Sequence, residues 1–201
     1  MTITHNILIS AVGGQGALLA ARILGHFASA QGLMVKVSEI HGMSQRGGSV
    51  VTHVRFGEAV HSPVIEAGNA DVVMAFELLE AARYVSMLRS GGVLLVNTQQ
   101  ILPLPVLTGA AAYPLDLLKR FAELPIKTFA IDARAEATAM GNAKTVNTIL
   151  IGAYAGHIGA DTAPWHQAIR ASVRAAHCAV NLEAFDRGYR LATEPHHPTH
   201  A

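Results

Sequence analysis

NILISAVGGQG, residues 6–16, sets five apolar residues (Ile7, Leu8, Ile9, Ala11 and Val12) in a run broken only by Ser10, then three glycines and a glutamine within four residues. A helical pattern opens directly afterwards at Ala17. A buried strand that passes through a glycine turn into a helix is how doubly wound α/β sheets begin. Gly13 and Gly14 permit positive φ and close backbone approach, and Gly16 allows the helix to pack tightly on the strand. The N–H groups of Gly16–Leu18, left without intrahelical partners, suit an anion above the carboxyl end of that strand.

Outward from this unit the chain alternates strand and helix signals. Leu19, Ala20, Ile23, Leu24, Phe27 and Ala28 recur at helical spacing up to Gly32, and Leu33–Ser38 predicts a second parallel strand with Glu39 at its end. Val50–Phe56 alternates as a strand, and Gly57-Glu58 predicts a turn into a hairpin with Ala59–His61, across which His53 and His61 would face each other. Asp71–Phe76 and Val93–Val96 read as core strands. The helix between them would bury Leu78, Ala82, Val85 and Leu88 and stop at Gly91-Gly92. Asn97–Gly109 is irregular, Tyr113–Phe121 a modest helix, and Pro125–Ile131 the last strand. The remainder is helical, with Arg170, Arg174, His177 and Asn181 as a polar stripe and Leu182, Phe185 and Tyr189 as an apolar one. The expected fold is α/β: a doubly wound, mainly parallel sheet flanked by helices, with a β-hairpin insertion and a helical C-terminal part. No linker or repeat divides it, so residues 1–193 form one domain, and 194–201 a loose polar tail.

Composition excludes several classes. A single cysteine, Cys178, supplies neither a disulfide framework nor a self-contained cluster or zinc site. Net charge of +1 lacks the broad basic field of a nucleic-acid binder. No signal peptide or membrane span is legible, which places the chain in the cytoplasm. Only 14% of residues are charged against 51% hydrophobic, a proportion that predicts a surface covered by another chain, with an alanine-rich sequence as the plainer account.

Two places could carry chemistry. In the register G-x-G-x-x-G the turn shows Ala11, Gly13 and Gly16, so the first glycine is missing. Glu39 follows farther on than the acid that meets a ribose in dinucleotide-binding folds. A free-standing NAD(P)- or flavin-binding oxidoreductase is therefore one reading, and a glycine turn kept only for packing is another. The loop IHGMSQRGGS, residues 40–49, is the second place. Arg46 offers a fork of donors to a carboxylate or phosphate, Gly47 and Gly48 free backbone N–H groups beside it, and Gln45 and Ser49 add neutral hydrogen bonds. The alternative is a solvated arginine in an ordinary loop. Neither place contains a nucleophile elbow, a Walker lysine, a metal motif or paired acids, and the histidines have no ligand partners at metal spacing. Such a chain contributes to an active site completed by another.

AVGGQG, SEIHGMSQRGGSVVTHVRFG, ADVVMAFELLEAARYVSMLRSGG and NLEAFDRGY together resemble the gamma-type component of 2-oxoacid:ferredoxin oxidoreductases, from Ile7 to about Tyr189. Within that family the likeness is to the small-subunit branch that works on indolepyruvate. The resemblance implies a subunit inactive alone, which binds no cofactor itself. Its partner would be a large (alpha) catalytic subunit carrying thiamine diphosphate, Mg and [4Fe-4S] clusters. The complex would decarboxylate an arylpyruvate oxidatively, with CoA as co-substrate and ferredoxin as electron acceptor; in isolation the chain could pair with itself. Carried onto this sequence, Gly13, Gly14, Gln15 and Gly16 match the family's glycine turn. Gln45, Arg46, Gly47, Gly48 and Ser49 match its loop, and Asn142 and Asn147 its polar positions before and within the late helix. The resemblance puts these near substrate or CoA and assigns a catalytic step to none.

Overall fold

The computed structural model describes residues 4–42 and 47–194. Its strands are β1 (Thr4–Val12), β2 (Met34–His41), β3 (Ser49–Gly57), β4 (Ala70–Ala75), β5 (Leu88–Asn97) and β6 (Lys127–Ile131), bonded in the order β2-β3-β1-β4-β5-β6. Its helices are α1 (Ala17–Ala30), α2 (Leu78–Tyr84), α3 (Leu104–Leu107), α4 (Leu117–Ala122), α5 (Ala133–Ala139), α6 (Val146–His157), α7 (Thr162–Ser172) and α8 (Cys178–Thr193). β1, β4, β5 and β6 are parallel neighbours, while β3 runs antiparallel to both β1 and β2. The sheet is thus mixed and mainly parallel, with a hairpin at one edge.

Side chains alternate along the strands and feed two cores, as the period of two requires. Ile7, Ile9, Ala11, Val72 and Met74 pack against α1, α6, α7 and α8. Leu8, Val73, Ala75, Leu94 and Val96 face the opposite layer with α2 and α4. Helices on both faces make the sheet doubly wound. Trp165 of α7 is fully buried and stacks on Phe27 of α1 with ring centroids 3.6 Å apart, locking those helices together. α6 is buried on every side from Val146 to Gly156, as a mostly apolar sequence with only Asn147 and Thr148 polar in that span dictates.

The hairpin differs from the expected one. It joins β2 to β3, because residues 42–48 are too few for the crossover a parallel pair needs and must return antiparallel. β2 therefore runs in the direction of β1 but is not its neighbour, and it continues through Glu39 to His41. Ala59–His61 forms no strand. Arg55 reaches across to the carbonyls of Ser62 and Val64 at 2.9 and 3.1 Å and ties that segment down as a loop. His53 does not meet His61: it is buried, and its Nδ1 accepts the Ile65 N–H at 3.1 Å. Burial, and secondarily Arg55, lower its pKa, in keeping with a neutral acceptor.

Three smaller corrections concern helix ends. The helix after β4 closes early in a 3-10 turn at Val85–Met87, and Gly91-Gly92 lies inside β5, where the register with β4 slips. Tyr113 stands outside α4: it precedes Pro114, which disfavours helix, and its hydroxyl is held elsewhere. The polar stripe is not one face, since Arg170 belongs to α7 and Asn181 to α8. Asn181 is buried, and its Oδ1 accepts the Thr148 hydroxyl at 2.7 Å. Among the described residues no helix is long and apolar enough to cross a membrane. The expected tail beyond Glu194, with His196, His197 and His200, lies outside the described residues.

Candidate functional site

The turn Gly13–Gly16 sits at the carboxyl end of β1, where ligands of open α/β sheets bind. Gly14 and Gly16 adopt φ of +103° and +88°, the left-handed region that a side chain resists. Gln15 stiffens the turn from within: its Oε1 accepts the Val12 N–H at 2.8 Å, and its Nε2 donates to the Phe76 carbonyl at 3.0 Å. The amide thereby ties the ends of β1 and β4 together and is not free to reach a ligand. Gly16 caps α1, with no side chain on the first N–H groups and no acidic residue in the first turn. That helix start remains open to an anion.

The structure brings the two candidate places together. Gly13 donates to the Gly48 carbonyl at 2.8 Å and accepts from the Gly47 N–H at 3.3 Å, so turn and hairpin loop are paired backbone to backbone. Asn147 joins them from α6: it is buried, and its Nδ2 donates to the Gly16 carbonyl at 3.2 Å. A Cβ at Gly16 would lie 2.6 Å from that nitrogen. Asn142 stands apart; its Oδ1 accepts the Lys144 N–H at 3.1 Å and shapes the turn before α6. Ser49 is present but faces inward, its hydroxyl donating to Glu80 Oε2 at 2.5 Å. Gln45 and Arg46 lie outside the described residues.

Clefts open on either side of the turn. One, of about 320 Å³, is bounded by Val12–Leu18 together with Glu39, His41 and Val50. The other, of about 450 Å³, is lined by Gly14–Gly16, Gln99, Arg134, Lys144 and Asn147 among others. Arg134 and Lys144 are exposed and in no ion pair with a described residue, which gives the second cleft its positive charge. Glu39 does reach the first cleft. It sits two strands from β1, however, roughly 10 Å away at ordinary strand spacing, and pairs across the hairpin with Thr52. The acid of a dinucleotide site stands on the strand beside β1, so that reading loses its geometry.

Below the clefts the first turn of α2 holds two buried carboxylates. Glu77 caps the helix by accepting the Glu80 N–H at 2.9 Å, and its other oxygen takes the Ile101 N–H at 3.1 Å and the Tyr113 hydroxyl at 2.5 Å. Burial first, then that carboxylate, push the Tyr113 hydroxyl pKa up. Burial raises the pKa of Glu80, while the Ser49 hydroxyl and Arg83 pull it down and Glu77 pushes it up. Gln99, Arg134, Lys144, Glu77, Glu80 and Tyr113 are not among the expected site residues. FELLE, residues 76–80, did carry a signal, since an acid at the cap with Glu three positions on is capping-box spacing.

Residues 6–191 match the family described as pyruvate ferredoxin/flavodoxin oxidoreductase. The chain is 43% identical to the indolepyruvate oxidoreductase subunit IorB of Pyrococcus horikoshii, over 94% of this chain and 96% of that one. It is 36% identical to the subunit of the same name from Archaeoglobus fulgidus, over 93% and 94%. Among solved structures, pyruvate oxidoreductase subunit PORC of Thermotoga maritima superposes with a TM-score of 0.72 at 22% identity, covering 93% of this chain and 96% of that one. A 2-oxoglutarate:ferredoxin oxidoreductase chain from Magnetococcus marinus, solved with 2-oxoglutarate, coenzyme A and succinyl-CoA bound, superposes with a TM-score of 0.73 at 17% identity. This chain is covered over 96% of its length there and accounts for 32% of the larger one.

Proposed function

Because this chain belongs to the pyruvate ferredoxin/flavodoxin oxidoreductase family, we propose that it is the small subunit of an indolepyruvate-type 2-oxoacid:ferredoxin oxidoreductase, completing an active site whose redox machinery a large subunit supplies. Residues 1–193 are taken as one gamma-type domain. The overall reaction breaks the bond between the oxo carbon and the carboxylate of an arylpyruvate and releases carbon dioxide. The acyl carbon joins the sulfur of CoA, the thiol proton is released, and the two electrons pass to ferredoxin. With these carriers the proposed complex would work in the cytoplasm.

The observation that carries the reading is end-to-end relationship to a subunit family in a chain with one cysteine. A [4Fe-4S] cluster takes four thiolates, so this donor set does not fit one. Among the described residues no group of three or more His, Cys, Asp or Glu side chains is placed to hold a metal ion. On the cysteine count the clusters belong to the partner, and the proposal sets the thiamine diphosphate and Mg there with them. What this chain offers is an anion-receptive helix start at Gly16–Leu18, the cations Arg134 and Lys144, and a hairpin loop clamped to Gly13. These suit a carboxylate or the phosphates of CoA. Leu104, Leu107 and Leu115, exposed to 72%, 66% and 82%, support a surface covered by another chain.

Tandem purification from the native host tests the assembly: a brown, thiamine-containing large subunit should accompany this chain, and recovery of the chain alone contradicts the reading. Arg46→Ala tests the loop. In the reconstituted complex it should lower kcat/KM by roughly 10- to 100-fold, the worth of a charged hydrogen bond to an anion, with assembly intact. Unchanged kinetics for both oxo acid and CoA would remove Arg46 from the site.

A further inference from the structure

Glu80 is an acid in an apolar place. Its side chain is 6% exposed, on a helix packed against the sheet face that carries Leu8, Val73 and Ala75. A carboxylate buried there costs free energy unless its partners recover it. α2 does not need it, since Glu77 already caps the helix. Its partners are Ser49, whose hydroxyl lies 2.5 Å from Oε2, and the half-exposed Arg83, 3.3 Å from Oε1.

Ser49 is the first residue of β3 and pairs in register with Val12, the last of β1. The next residues back along the chain, Gly48 and Gly47, make the reciprocal hydrogen bonds to Gly13. A rigid path thus runs from α2 through Ser49 to the glycine turn, underneath the cleft that the turn shares with Glu39 and His41. We propose that Glu80 is a positioning residue for that cleft: by fixing Ser49 it holds Gly47 and Gly48 against Gly13 and sets the spacing between turn and hairpin that a ligand meets. The bearing on turnover rests on the reading of the cleft as part of the shared reaction chamber; the positioning itself does not.

The test uses the full chain assembled with its large subunit, as wild type, Ser49→Ala, Glu80→Gln and Ser49→Thr. Amide hydrogen exchange is followed on peptides spanning residues 13–16 and 47–51, with an α6 peptide as control, alongside KM and kcat for the oxo acid and CoA. Ser49→Ala and Glu80→Gln should speed exchange in both cleft peptides about tenfold, the size of a lost charge-assisted hydrogen bond, and leave α6 unchanged. Ser49→Thr, which keeps the hydroxyl, should restore wild-type exchange. KM should rise by about three- to tenfold with kcat within about twofold, as expected when binding geometry loosens. Unchanged exchange in both variants, or an equal rise in α6, overturns the proposal, the latter by reducing Glu80 to a general stability role. Faster exchange confined to the cleft peptides with unmoved KM upholds the positioning and instead takes the cleft out of the reaction chamber.

Discussion

Glycines crowd two regions of this molecule for opposite reasons. In the turn between β1 and α1 the requirement is conformational: Gly14 has φ of +103°, yet a Cβ there would meet nothing within 4 Å. At the crossing of α6 and α8 the conformation is ordinary and the requirement is room. A Cβ at Gly152 would overlap the Phe185 carbonyl, and one at Gly188 the Ile149 carbonyl, while at Gly156 it would lie 2.7 Å from the Tyr189 oxygen. Backbone lies on backbone there, close enough for Cα–H···O contacts. Gly16 combines both requirements, with positive φ and Asn147 packed against it. The regions are also coupled, because α8 seats the helix that carries Asn147 to the turn.

The sharpest way to break this contrast is Gly188→Ala. Neither carbonyl nor helix can yield locally, so the helices must separate, at a cost of about 3 kcal/mol or more, read from urea unfolding. Stability within about 0.5 kcal/mol of wild type would mean that the helices do not touch there. Gly16→Ala should come next, at about 2 kcal/mol, the left-handed backbone and the displaced Asn147 each taking a share. It should also raise KM in the assembled complex, which Gly188→Ala in a surviving fold need not do.

What the sequence disclosed follows the same division. The turn was legible because its glycines punctuate a local pattern, an apolar run before and a helical period after. β1, α1, β4, β6 and α6 were legible likewise. The crossing was not, because the reason for Gly152 lies more than thirty residues away on α8. The hairpin was misplaced since a strand's neighbour is decided by connection length and not by alternation. Glu80 was not among the expected site residues, because the partner that keeps it buried, Ser49, is brought over by the sheet. Gln15 and Ser49 were found as polar groups near the site. Only the fold shows that both point into the protein.

The smallest effects test whether the two requirements are separable at one residue. Gly14→Ala has only its conformation to lose and should cost about 1 kcal/mol. In Gly16→Ala the remainder beyond that figure belongs to Asn147, whose Nδ2 a new Cβ would approach to 2.6 Å. Asn147→Ala removes the obstacle. In that background Gly16→Ala should therefore fall to the cost of Gly14→Ala, a coupling of about 1 kcal/mol in a double-mutant cycle. Additivity within about 0.3 kcal/mol would show that Asn147 exerts no steric hold on the turn. Gly16 would then be conformational alone, like Gly14, and α6 would contribute nothing to the shape of the site beyond its own bulk.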